Sequence, residues 1–248
     1  MRPGNSRDSL SKDAMATTKS SGTILDGECR PEGQGAGTAP CTNGDMTVLN
    51  FARKVQAIAQ NGLTFTQDIY DRERFQQLQE LAASLVAAEL AIPLGQAKSF
   101  WKGDDGYATP KVDVRGAIFD GDKVLLVRER SDGGWTMPGG WVDVHDAPSE
   151  AVVREVFEES GYRAKAVKLA ALVDRMRHPH PPSVHHIYKL FFLCEITGGT
   201  PTTSDETDGV DFFPINALPQ LSTGRTLASQ VLRMHEHWLN RDLPTDFD

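Results

Sequence analysis

Glu155, Glu158 and Glu159 lie close together in GWTMPGGWVDVHDAPSEAVVREVFEESGY, residues 134–162, with Arg154 directly before them. On a helix they share roughly one turn. Like charges at i,i+3 and i,i+4 repel by a few tenths of a kcal/mol and raise each other's proton affinity unless something positive sits among them. Arg154 answers part of that charge, and a hard divalent cation with oxygen ligands, Mg²⁺ or Mn²⁺, answers the rest. The plain alternative is a solvated acidic face. The flanks argue against it. Gly139 and Gly140 lack a Cβ, so backbone carbonyls there can turn toward an ion or ligand. Asp146 then follows Gly140 by six positions, and Arg154 follows Asp146 by eight.

The acids need a helix to carry them. The apolar spacing predicts one from Ser149, with Asp146 and Pro148 as start residues and Gly161 as a left-handed stop. Val152, Val153, Val156 and Phe157 fill one broad face, and the three glutamates gather on another. Before the helix, Val112, Val114 and Ile118 mark a strand, Asp120-Gly121-Asp122 a turn, and Val124–Val127 the next strand. After it, apolar runs at 166–173, 187–196 and around 210–213 are expected strands of one mixed sheet. Leu227, Val231, Met234 and Trp238 mark a closing helix, so the class is an α/β sandwich.

Upstream, residues 1–45 are rich in Gly, Ser, Thr, Asp and Pro and poor in large apolar residues, which predicts a disordered tail, with Met46 an alternative start. Val48, Phe51, Ala52, Val55, Ile58 and Ala59 form a helical stripe ended by Asn61-Gly62. A second helix runs from about Asp68 to Leu90, with Ile69, Phe75, Leu78, Leu81, Ala82, Leu85 and Val86 on one side. Together they make a helical hairpin over 46–102, which must pack on the rest or on a second subunit. The Gly-Asp-Asp-Gly run opens a linker at 103–109, and 110–248 form the domain bearing the acids.

At 248 residues with 39% hydrophobic content, the chain can bury a real core. A net charge of -8 argues against bulk nucleic acid or anionic membranes as partners and leaves small anionic substrates open. The three cysteines, Cys29, Cys41 and Cys194, form no CxxC and no disulfide framework. No uninterrupted apolar run approaches a membrane span and residues 1–16 lack a hydrophobic signal segment, so the expected location is cytoplasmic.

The segment resembles the box of the Nudix hydrolases, G-x5-E-x7-R-E-U-x-E-E-x-G-U with U apolar, through Gly140, Arg154, Glu155, Val156, Glu158, Glu159, Gly161 and Tyr162. Asp146 stands where the pattern has Glu, and Tyr162 is only semi-apolar. The resemblance implies a Nudix-type α/β/α sandwich over about 110–240, cations held by Glu155, Glu158, Glu159 and the Gly139 carbonyl, and Arg154 orienting the acids. The shorter acid implies weakened activity. AIAQNGLTFTQDIYDRERFQQLQELAA, YATPKVDVRGAIF, HPHPP and LPQLSTGR are similar to a bacterial subgroup acting on ADP-ribose or CDP-choline. That likeness implies hydrolysis of a nucleoside diphosphate linked to another group, and a homodimer formed through the helical extension. Rival readings are a nucleoside triphosphate or RNA 5′-end pyrophosphohydrolase and a non-catalytic nucleotide-sensing regulator.

Other candidates lie outside the box. Arg128 and Arg130, two apart on a strand, share a face and could clamp a diphosphate or pair on the surface. Arg175, Arg177, His178 and His180 either line a stiff loop near the substrate or form an exposed basic loop. Zinc at His178, His180, His185 and His186 lacks a nearby Cys or acidic ligand. Glu206 is a candidate metal ligand or general base, since some Nudix enzymes draw one from a late loop; a solvated turn is its alternative. Arg225 could reach a phosphate.

Overall fold

The computed structural model describes residues 47–248; the expected tail, the alternative start at Met46, Cys29 and Cys41 lie outside them. Helix α1 (Val48–Phe65) starts where the Thr47 hydroxyl accepts from the Asn50 amide. Helix α2 (Ile69–Glu89) starts where Asp68 accepts from the amides of Tyr70 and Asp71 at 2.8 and 2.9 Å. With the short α3 (Leu94–Ser99) they bury Leu49, Ala52, Ala83, Val86 and Ala97, and Phe100 and Trp101 pack alongside.

Two expectations change here. Asn61-Gly62 does not end α1; a Cβ on Gly62 would lie 2.4 Å from the Phe75 ring, so this glycine permits close helix packing. The helix–helix contact is made mainly by small residues, while Val48, Phe51, Ile58, Ile69 and Leu81 of the expected inner stripes stay exposed. Each apolar arc is wider than one neighbouring helix can cover.

The rest is strands and two helices. A first sheet has the order β1 (Lys111–Ala117), β6 (Ile187–Gly199), β5 (Tyr162–Asp174), β8 (Asp246–Phe247). It is mixed: β1 and β6 run parallel, β6 and β5 antiparallel, β5 and β8 parallel. The run around 210–213 does not join it. As β7 (Thr207–Pro214) it pairs antiparallel with β3 (Lys123–Glu129) in a second sheet with β2 (Phe119–Asp120) and β4 (Trp135–Thr136). Val124 to Val127 of β3 are fully buried, which fits a central strand packed on both faces and needing partners along both edges.

Alternation along β6 places the two remaining helices. Phe191 and Leu193 share a cluster with Val231 and Met234 of α5 (Ala228–Leu239). Leu190, Phe192 and Cys194 share another with Ala151, Val152 and Val156 of α4 (Pro148–Ser160). Successive strand residues point to opposite faces, so the helices cover opposite sides and the fold is an α/β/α sandwich. Burying Val152 and Val156 contributes about 1.5–3 kcal/mol each, and that anchors the helix carrying the acids.

Candidate active site

Helix α4 begins at Pro148, with Ala147 as the capping residue in place of Asp146; the Ala147 amide donates to Glu150 Oε2 at 3.3 Å. It stops at Gly161, φ 74°, as expected. Its faces differ from the expected division. Glu159 is buried and Phe157 is half-exposed, because Glu159 sits seven positions after Val152 and three after Val156, on the edge of the sheet-facing side.

That burial is matched by a specific partner. The Gly139 amide donates to Glu159 Oε2 at 2.9 Å. Gly139 has φ 145°, and a Cβ there would lie 2.0 Å from the Val114 carbonyl oxygen, so the strand and the loop can touch only through glycine. A Cβ on Gly140 would lie 2.8 Å from Glu155 Oε2. The pair of glycines therefore lays the loop directly against two acids of the helix.

Arg154 collects the others. Its guanidinium meets Glu155 at 2.8 Å, Glu158 at 3.0 Å, Asp146 at 3.3 Å and Asp143 at 3.4 Å. All of these except Asp146 line one cleft of about 800 Å³, together with Gly139, Gly140, Glu159, Glu129, Asp205 and Glu206. Burial pushes Glu159 up to about 8, against the pull of Arg115 and the Gly139 amide. Burial also raises Glu155, partly offset by Arg154.

The cleft is also lined by cations. Asp113 is held by Arg115 at 2.7 Å and Lys189 at 2.5 Å, all three buried. Burial alone would raise the Asp113 carboxyl, but Arg115 and Lys189 outweigh it and hold it below the usual range. Burial and the neighbouring Arg115 push Lys189 down to about 8. Arg175 joins them: it donates to the carbonyls of Pro181 at 2.9 Å and Gly224 at 3.3 Å, and among the described residues its Nη1 has no hydrogen-bond partner.

Several expected binding residues are elsewhere. Arg128 and Arg130 are not among the residues that line the cleft: Arg128 pairs with Asp208 at 2.6 Å and Arg130 donates to the Ser204 carbonyl at 3.3 Å. Glu129 between them faces the cleft, and the bulge at Arg128/Glu129 disturbs the β3–β7 ladder there. His178 and His180 do not line the cleft either. His178 Nε2 lies 3.2 Å from Asp248, and His180 bridges the Thr223 carbonyl (2.7 Å) and the Gln230 side chain (3.0 Å). They fasten their loop to the carboxyl-terminal elements. Burial pushes His180 down to about 4. His186 pairs with Asp174 at 3.1 Å and His185 meets the Trp141 ring, so the four imidazoles have separate partners.

Arg225 and Glu206 do line the cleft. Arg225 is engaged by Glu129 at 2.9 Å, Asp132 at 3.3 Å and Ser131 at 3.1 Å, so it balances a carboxylate and braces the wall. Glu206 is exposed, its amide 3.2 Å from Ser204 Oγ. Asp113, Arg115, Glu129, Trp141 and Lys189 were not singled out from the sequence. The one available signal was charge inside otherwise apolar strands, as in VDVRG and IYKLFFL.

Among the described residues no three acidic, imidazole or thiol groups converge into a ready cation cage, and Arg154 bonds both Glu155 and Glu158. The donor chemistry nevertheless fits a hard divalent cation. The ligands are oxygens, and burial makes the charged forms of Glu155 and Glu159 costly, a cost that a cation offsets.

Residues 109–234 match the NUDIX domain family. The chain belongs to the Nudix hydrolases. Residues 46–101 of this Nudix hydrolase match a second family, described as a UDP-X-like, N-terminal oligomerisation domain. A Bacillus subtilis (strain 168) protein, YjhB, provisionally named an ADP-ribose pyrophosphatase, is 42% identical over 81% of this chain and 96% of its own. The crystal structure of an ADP-ribose pyrophosphatase from Streptococcus suis 89-1591 is 38% identical, with TM-score 0.53 over 56% of this chain and 100% of its own. A solved UDP-X diphosphatase is 30% identical, with TM-score 0.54 over 81% of this chain and 98% of its own.

Proposed function

We propose that this Nudix hydrolase cleaves the pyrophosphate of a nucleoside diphosphate joined to a second group, of the ADP-ribose or CDP-choline type, giving a nucleoside monophosphate and a phosphorylated product. The observation carrying the reading is one cleft of about 800 Å³ lined both by carboxylates of α4 and by Arg115, Lys189 and Arg175. The volume suits a ligand of nucleotide size, and the cationic side chains suit its diphosphate. The names of these relatives support the same substrate class.

Glu155, Glu158, Glu159 and the Gly139 carbonyl would hold Mg²⁺ or Mn²⁺, which when bound neutralises the diphosphate and activates a water. Arg154 balances Glu155 and Glu158 and sets their orientation. The Gly139 amide fixes one oxygen of Glu159, leaving its other free to face the cleft. Glu206, exposed and lining the cleft, or one of the α4 glutamates would take the proton of the attacking water. Arg175 and Lys189 add positive charge where the phosphoryl groups lie.

Residues 46–102 are read as a helical extension, joined through 103–109 to the hydrolase domain at 110–248, a division supported by the two family matches. A second copy of the chain would cover the exposed apolar groove lined by Phe51, Val55, Leu78, Leu81 and Leu85, making a homodimer. The description of the matching family supports this. Among the described residues no helix is long and apolar enough to cross a membrane. A cytoplasmic location belongs to the same reading.

The test is chromatography of products after incubating the protein and Mg²⁺ with ADP-ribose, CDP-choline and a nucleoside triphosphate. AMP or CMP from a diphosphate substrate supports the reading. Turnover of the triphosphate alone, or binding without turnover, overturns it.

A further inference from the structure

Trp141 presents an indole to the cleft with half of its surface exposed, 49%. Its main chain is anchored: Asp113 and Trp141 form an antiparallel bridge, and the Val142 amide donates to the Val112 carbonyl at 3.0 Å. Its ring is met edge-on by His185, with centroids 6.5 Å apart and planes at 84°. One broad face of an indole held in this way is a surface on which a planar group can stack.

His185 is itself held by the helical extension. Arg53 of α1 donates through Nη1 to the carbonyls of Ser183 at 2.7 Å and His185 at 3.4 Å, more than a hundred residues along the chain. Between those carbonyls, Val184 packs with Leu85, Phe100 and Trp101 against the buried cluster of the extension. The segment leading into β6 is thus clamped to the helices at His185 and at the two residues before it. Asn50 accepts from the other guanidinium nitrogen of Arg53, which fixes the side chain in place.

We propose that Trp141 is a stacking platform for the planar base of the substrate, and that Arg53 is the positioning residue that holds it, acting through the Ser183–His185 backbone. The base rests on the indole with its diphosphate toward the charged groups of the same cleft. The amino-terminal extension thereby shapes the substrate site as well as any subunit contact. Identification of the ligand as a nucleotide rests on the function proposed above.

The test combines tryptophan fluorescence with kinetics on the full-length protein. AMP should quench the wild type, and ribose 5-phosphate, which has no base, should not. Trp141→Phe should remove that quenching. Trp141→Ala should raise KM about tenfold with little change in kcat, the size expected for one stacked base. Arg53→Ala should raise KM in the same direction, and Arg53→Lys, which keeps a cation and its donors, should recover most of the loss. A general loss of folding would lower the active fraction and kcat together. Hydrolysis with unchanged KM in Trp141→Ala and Arg53→Ala overturns the platform. Quenching through Trp141 in a protein that hydrolyses no diphosphate substrate upholds the platform and overturns the pyrophosphatase reading.

Discussion

The Gly139 amide donates to Glu159 Oε2 at 2.9 Å, joining a loop to a helix residue twenty positions later and giving the buried carboxylate a hydrogen-bond partner. The geometry that allows it is strict, since Gly139 has φ 145° and the Val114 carbonyl occupies the place of a Cβ. Gly139→Ala should therefore destabilise the fold by about 3 kcal/mol or more and abolish hydrolysis. Thermal melting with an activity assay checks this; a melting temperature near wild type would show that the loop can move away from β1.

Glu158 is exposed, and among the described residues its ion-pair partner is Arg154. Glu158→Gln should keep the melting temperature and lose ~10²-fold or more in kcat, since charge and cation affinity fall together. Near-wild-type turnover at saturating Mg²⁺ would remove Glu158 from the proposed site.

Asp146 lies 3.3 Å from Arg154 and outside the residues lining the cleft. Its role is to hold the arginine, so Asp146→Glu should be tolerated or raise activity. Abolished activity would mean that the shorter acid does something its contact with Arg154 does not explain.

Asp113 is the shared counter-ion of two buried cations. Asp113→Ala would leave Lys189 beside Arg115 without its acidic partner, and Arg115 with Glu159 and Glu129 alone, at a cost of about 3–5 kcal/mol. Urea unfolding measures it, and a loss below about 1 kcal/mol would show that water or a rearranged acid takes over.

His180 is neutral in the fold: Nδ1 donates to the Thr223 carbonyl, and Nε2 accepts from Gln230. Its pKa falls from 6.5 to about 4 on burial, so the unfolded chain binds the proton more readily. The stabilisation is present above 6.5 and is lost as pH falls toward 4. The melting temperature should drop across that window more steeply in the wild type than in His180→Gln. Parallel curves would show that the imidazole is not the titrating group.

How much was legible in the sequence follows from the range of the interactions. The spacing of Val152, Val156 and the glutamates, and Gly161 in its left-handed stop, are local, so helix α4 and its acids could be read directly. The Nudix box and the helical extension were legible for the same reason. What only the tertiary structure decided depends on register and contact between distant segments. The pairing of β7 with β3 and the orientation of Glu129 inward past Arg128 follow from strand pairing and a bulge. The Asp113–Arg115–Lys189 cluster joins two strands seventy-six positions apart. Local sequence sets which residues share a face. Which face becomes a cleft wall is settled when strands pair and helices cover them, because burial and charge pairing are properties of the assembled layers.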